Sequence, residues 1–105
     1  MKEYDDNGQL IFEGEYLNGK RNGKGKEYNN IGKIIFEGEY LNGKIWNGEI
    51  YFNNQIFKIK NGQGFIKEYN YKDEIIFEGV YLNGERNGKG KEYKYIYNIK
   101  IIILK

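Results

Sequence analysis

The chain contains no Ser, Thr, Cys, His, Pro or Ala. Without a hydroxyl or thiol, nucleophilic catalysis of the serine, threonine or cysteine type is excluded. Without imidazole, the usual near-neutral general base is missing. No disulfide can form, and neither Asn-linked glycosylation nor Ser/Thr phosphorylation has an acceptor. A zinc site would need carboxylates alone, which zinc sites rarely use. Charge of one sign is also lacking: 17 Lys and Arg face 15 Asp and Glu, a net of +2, so composition gives no argument for a nucleic-acid partner. No run approaches the roughly 20 apolar residues of a membrane span, and Met1–Asp6 lacks a signal peptide's apolar core. These readings point to a non-enzyme with no cofactor, no metal and no small-molecule substrate, in the cytoplasm or peripheral to a membrane.

What is present is skewed. Ile (16), Lys (15), Gly (15), Asn (14), Glu (12) and Tyr (11) make up most of the 105 residues. Lys outnumbers Arg fifteen to two and Ile outnumbers Leu sixteen to five, preferences that favour A/T-rich codons. Mean hydropathy is −0.83, a value that suggests disorder, but 17% of residues are aromatic, which disordered chains are not. The required fold uses many rings and little interior.

Internal repetition organises the chain. FEGEYLNGK occurs at 12–20 and 36–44 and returns as FEGVYLNGE at 77–85. KEY occurs at 2–4, 26–28, 67–69 and 91–93, at intervals of 24, 41 and 24 residues. The 41-residue interval holds one regular unit of 24 and a shortened one of 17. Residues 1–105 therefore read as one domain: a partial unit over 1–11, units at 12–35 and 36–55, a shortened unit at 56–76, and a last unit at 77–105 with a capping strand.

Eight Asn-Gly pairs punctuate short runs of β-formers, and Asn-Gly is the strongest short hairpin signal. No helix is expected, because the β-formers alternate between frequent Asn-Gly pairs and do not recur at helical spacing. About ten antiparallel strands result. Alternation puts Leu10, Phe12, Gly14 and Tyr16 on one face of a strand and Ile11, Glu13, Glu15 and Leu17 on the other. Aromatics of one strand are expected to cover the bare glycines of the next. There is too little apolar material for a sandwich core, so the expectation is all-β: an elongated single-layer meander, a ribbon of roughly 45 Å at the ordinary strand spacing.

The units Phe12–Gly25 and Phe36–Lys44, with Phe-x-Gly, Tyr, Asn-Gly-Lys and Gly-x-Gly at fixed spacing, resemble the MORN repeat across nearly the whole chain. The resemblance implies a single-layer meander of hairpins used in membrane association, dimerisation and scaffolding, without catalysis by the repeats. Similar repeats occur in bacterial proteins of antitoxin or immunity type, which makes a toxin another partner to consider. The chain departs from the pattern in its short middle unit, in one extra residue read at Lys44–Gly48, and in Ile101 standing where Phe should begin a new unit.

Each candidate site has a plain alternative. Phe12, Tyr16, Phe36, Tyr40, Phe77 and Tyr81 form either a partner-binding face or the fold's only core. Trp46, read as part of a lengthened hairpin loop, is either a partner contact or a cover for a neighbouring hairpin. Lys20, Arg21, Lys24 and Lys26, with Arg86, Lys89 and Lys91, either meet anionic lipid or are solvated turns beside glutamates. The pairs Glu13/Glu15 and Glu37/Glu39 read as a solvated face rather than a glycosidase pair, and Asp5–Gly8 as a turn rather than a calcium loop. Ile99, Ile101 and Ile103 mark a self-association edge. The preferred reading is a protein-interaction or scaffold module, with self-association or another protein as partner; peripheral binding to anionic membrane and toxin binding are the alternatives.

Overall fold

Asn-Gly and Asn-Asn pairs close most of the tight hairpins, and their dihedrals show why. Asn18, Asn42 and Asn83 have φ of 52°, 51° and 54°, and the glycines that follow are also positive. That is the two-residue turn whose twist matches paired strands. Longer turns at Asp5–Gln9, Asn29–Lys33 and Asn70–Glu74 are held by a side-chain oxygen of the first residue, which accepts two backbone amides.

The computed structural model describes residues 1–104 and contains ten strands: β1 (Lys2–Tyr4), β2 (Leu10–Leu17), β3 (Lys20–Tyr28), β4 (Ile34–Leu41), β5 (Lys44–Phe52), β6 (Gln55–Ile59), β7 (Gly64–Tyr69), β8 (Ile75–Leu82), β9 (Glu85–Ile96) and β10 (Ile99–Leu104). Every pairing is antiparallel between neighbours in sequence. The ten-strand, all-β meander is as expected.

The ladder is nevertheless not one ribbon. It divides into a six-stranded sheet, β1 to β6, and a four-stranded sheet, β7 to β10, joined by a tight turn with a single bridge, Lys60–Gln63. A physical reason lies in one row of residues. Gly14, Gly25, Gly38 and Gly48 face one another across β2 to β5, and Gly79 faces Gly90. In β6 that row position holds Ile59, opposite Gly48, and in β7 it holds Ile66, opposite Gly79. Both isoleucines are buried, at 3% and 0% exposure. Two branched side chains there need space between their strands, so β6 and β7 diverge and the meander bends over them. The molecule measures 40 × 32 × 23 Å, shorter than the expected ribbon.

Phe12, Phe36, Tyr40, Ile50, Ile59 and Ile66 form the core cluster, with Tyr16, Phe57 and Tyr81 packed against it. The rings lie over bare backbone as anticipated. A methyl on Gly25 would sit 2.7 Å from the Phe12 ring and 3.1 Å from Tyr40, and one on Gly90 would sit 3.0 Å from Phe77.

Not every Asn-Gly pair is a turn. Asn22-Gly23, Asn47-Gly48 and Asn87-Gly88 lie inside β3, β5 and β9. Two of those asparagines brace a hairpin tip instead. Asn22 Oδ1 accepts the Asn42 amide at 3.1 Å, and Asn47 Oδ1 accepts the Asn61 amide at 2.9 Å. Gly43 donates to Arg21 O, Gly62 to Trp46 O and Gly84 to Gly62 O, at 2.8, 2.9 and 3.0 Å. These bonds link successive hairpin tips along one edge, and the last two continue across the break between the sheets.

Candidate functional site

The aromatic face is mostly interior. Phe12, Phe36, Tyr40 and Phe77 are 0–4% exposed and offer no surface to a partner, while Tyr16 and Tyr81 are half-buried. Phe12 meets Tyr40 edge-on with centroids 5.3 Å apart, and Phe36 meets Tyr40 at 5.2 Å, geometry that suits ring quadrupoles. With this little apolar mass, the fold uses these four rings as its own core.

Polar groups complete that interior in a pattern the motif reading missed. Tyr16, Tyr40 and Tyr81 donate to Glu3, Glu27 and Glu68, always 13 residues earlier. On the opposite face Tyr28 and Tyr93 donate to Glu13 and Glu78, always 15 residues earlier. The constant separations were the available signal. Burial, and then the Glu27 bond, push the Tyr40 phenol above its usual range; burial and Glu68 do the same for Tyr81. The Glu78 bond and burial push Tyr93 up to about 12.

The two arginines belong to this network. Arg21 bonds Glu3 through Nε and Nη2, at 2.9 and 3.0 Å, and Glu27 through Nη1 at 2.9 Å. Its guanidinium lies 4.2 Å from the Phe12 ring centroid. The Arg21 bond holds the Glu3 carboxyl below the usual carboxylate range, against the opposing effect of burial. Arg86 repeats the arrangement with Glu68, two bonds of 2.9 Å, over Phe77 at 4.6 Å. Arg21 and Arg86 therefore point into paired carboxylates and rings, where planar bidentate geometry favours arginine over lysine, and not toward a lipid surface.

The lysines stay outside. Lys20, Lys24, Lys89 and Lys91 are exposed and Lys26 half-buried. Lys24 stands opposite Glu39, Lys26 opposite Glu13 and Glu37, and Lys91 opposite Glu78. Lys24, Lys26 and Lys91 therefore sit in a lattice of alternating charge, while Lys20 stands opposite Leu17. The glutamate pairs lie in the same lattice. Trp46 is not in a loop: it lies half-buried in β5, beside Gly62. The segment from Lys44 to Gly48 is one residue shorter than Lys20 to Gly25, the stretch that reaches the same row position, so the extra residue read there does not exist in the register.

The outer edges of β1 and β10, the two ends of the meander, have no strand beside them, and the one at β10 is strongly apolar. Ile99 is 65% exposed, Ile101 41%, Ile102 52% and Leu104 73%, while Ile103 is half-buried against β9. The apolar exposure thus covers both faces of the strand, where the sequence reading marked only Ile99, Ile101 and Ile103. The described residues contain no helix long and apolar enough to cross a membrane.

A family model for the MORN repeat matches residues 12–32 and 77–97, that is, β2 with β3 and most of β8 with β9. No curated protein and no solved structure matches the chain. MORN repeats are associated with protein and membrane binding and are typically non-enzymatic. With matched repeats on both sides of the bend and the same hairpin geometry in each, the chain carries a MORN repeat in each of its two sheets.

Proposed function

We propose that this chain is a non-catalytic interaction module that receives a partner strand along β10. The observation that supports it is the unpaired β10 edge, six residues long and apolar on both faces. Such an edge presents a row of free backbone donors and acceptors, and natural sheets normally blunt it with charge, proline or a cover. Here its only charge among the described residues is Lys100, whose amine lies 5.2 Å from the Tyr93 ring centroid. Adding a strand supplies main-chain hydrogen bonds and removes the isoleucines from water.

A second copy of the chain suits that edge. Antiparallel β10 strands place apolar side chains opposite apolar side chains around a two-fold axis, the commonest oligomer symmetry. Burying half-exposed isoleucines contributes on the order of 1 kcal/mol each, against an association cost of several kcal/mol, so the pairing is weak and concentration-dependent. Light scattering across a concentration series tests it. The wild-type mass is expected to rise toward twice the monomer, and Ile101→Lys with Ile103→Lys to stay monomeric. A monomer throughout removes the second copy and leaves a different protein strand as the occupant. The membrane reading is weaker, since Arg21 and Arg86 are engaged internally and Lys24, Lys26 and Lys91 stand opposite glutamates. Salt-sensitive co-sedimentation with anionic vesicles would revive it.

A further inference from the structure

The strings Arg21-Asn22-Gly23-Lys24-Gly25-Lys26 and Arg86-Asn87-Gly88-Lys89-Gly90-Lys91 are identical in sequence but not in surroundings. In the first, Gly23 pairs with Tyr40 of β4, Asn22 Oδ1 is occupied by the Asn42 amide, and the Glu15 carboxylate accepts the Lys24 amide at 2.6 Å. The second lacks all three braces. β10 pairs with β9 only from Ile96 to Lys91, so Gly88 has no partner there, and the β8 pairing skips from Gly90 to Arg86. Among the described residues, no hairpin tip bonds Asn87. Val80 stands where the first unit has Glu15 and has no carboxylate to offer. The Gly88 amide instead donates to the Oδ1 of its own neighbour, Asn87, at 2.9 Å. Gly88 is exposed, and nothing lies within 4 Å of where its side chain would be.

We infer that Asn87-Gly88 is a site of spontaneous backbone modification, at which the chain converts asparagine to aspartate and isoaspartate far faster than at Asn22-Gly23. The Gly88 nitrogen, already beside the Asn87 amide group, loses its proton to solvent hydroxide and attacks Cγ. The N–Cγ bond forms, the Cγ–Nδ2 bond breaks, and ammonia leaves, giving a five-membered succinimide. Water then opens one of the two ring carbonyls, restoring the α-peptide as aspartate or rerouting the chain through the β-carboxyl as isoaspartate. No oxidant or cofactor is involved. Closeness of nucleophile and electrophile supplies the advantage, while at Asn22 the Asn42 amide holds the side-chain oxygen, and the pairing with Tyr40 and the Glu15 bond to the Lys24 amide restrain the backbone on either side of the Gly23 nitrogen. The product adds one negative charge to the β8–β9 hairpin, close to Arg86.

The two sites serve as each other's control. The chain is incubated at mildly alkaline pH and body temperature, then cut after glutamate, which releases 16–27 and 86–92 as distinguishable peptides. Trypsin would give the same tripeptide from both. Mass spectrometry with fragmentation then locates the amide-to-acid conversion and the isoaspartate. The native chain is expected to lose Asn87 on the order of tenfold faster than Asn22, consistent with a modest share of the proximity advantage, and the rates are expected to converge in concentrated guanidinium. Val80→Glu should restore the brace and bring Asn87 toward the Asn22 rate, and Gly88→Ala should slow it as well. Equal native rates, or an unequal ratio that persists in denaturant, would overturn the inference.

Discussion

Removing the Glu68 carboxylate tests whether the inward arginines and tyrosines hold the fold together. Glu68, with a side chain 16% exposed, accepts two bonds from Arg86 and one from Tyr81. A buried bond to a charged group nets about 1.5–3 kcal/mol, but Arg86 is 39% exposed, so solvent screening reduces its share to that of a surface pair, about 0.2–1 kcal/mol. Together with the Tyr81 hydroxyl left unpaired, Glu68→Ala is expected to cost about 2.5 kcal/mol, which for a domain of this size lowers Tm by about 10–20 °C. The comparison is Glu85→Ala. Glu85 pairs with Lys44 at 2.9 Å, but both side chains are well exposed, at 62% and 45%, and its loss should stay within about 0.5 kcal/mol. Thermal unfolding followed by circular dichroism measures both, and a cycle with Tyr81→Phe should return a coupling of about 1 kcal/mol. If Glu68→Ala and Glu85→Ala lower Tm equally, the network is surface decoration and the reasoning fails.

Two more outcomes follow from the same packing. Tyr40, Tyr81 and Tyr93 have folded pKa values above the ordinary 10.0, so their contribution is complete below pH 10 and lost as pH rises through 10 to 12 and beyond. Phenolate absorbance and circular dichroism should therefore change together on the alkaline side, and a single titration near pH 10 with the fold intact would contradict this. Gly38→Ala should destabilise by about 1–3 kcal/mol, the ordinary cost of overpacking or more, because its methyl would lie 2.7 Å from Gly48 Cα and closer still to the Asn47 carbonyl. Gly88→Ala, which meets nothing, should be neutral in a denaturant titration, and equal midpoints for the two variants would show that the glycine row is not a close-packing feature.

Much was determined by the amino-acid sequence alone. Period-2 alternation and two-residue turns are local properties, so the strand count, the hairpin tips at Asn18, Asn42 and Asn83, the absence of helix and the cover of glycine by Phe12 and Phe77 were all legible from residue order. Contacts between units decided the rest. Asn22 and Asn47 have the same turn signal as Asn18, but neighbouring strands and hairpin tips hold them inside β3 and β5, a tertiary override of local preference. Arg21 looks like a loop cation until β1 brings Glu3 beside it. The bend depends on Ile59 and Ile66 occupying a row that elsewhere is glycine, and that row exists only once the strands are in register. Side-chain volume between two particular strands, not the propensity of either, turned a ribbon into two sheets sharing one interior.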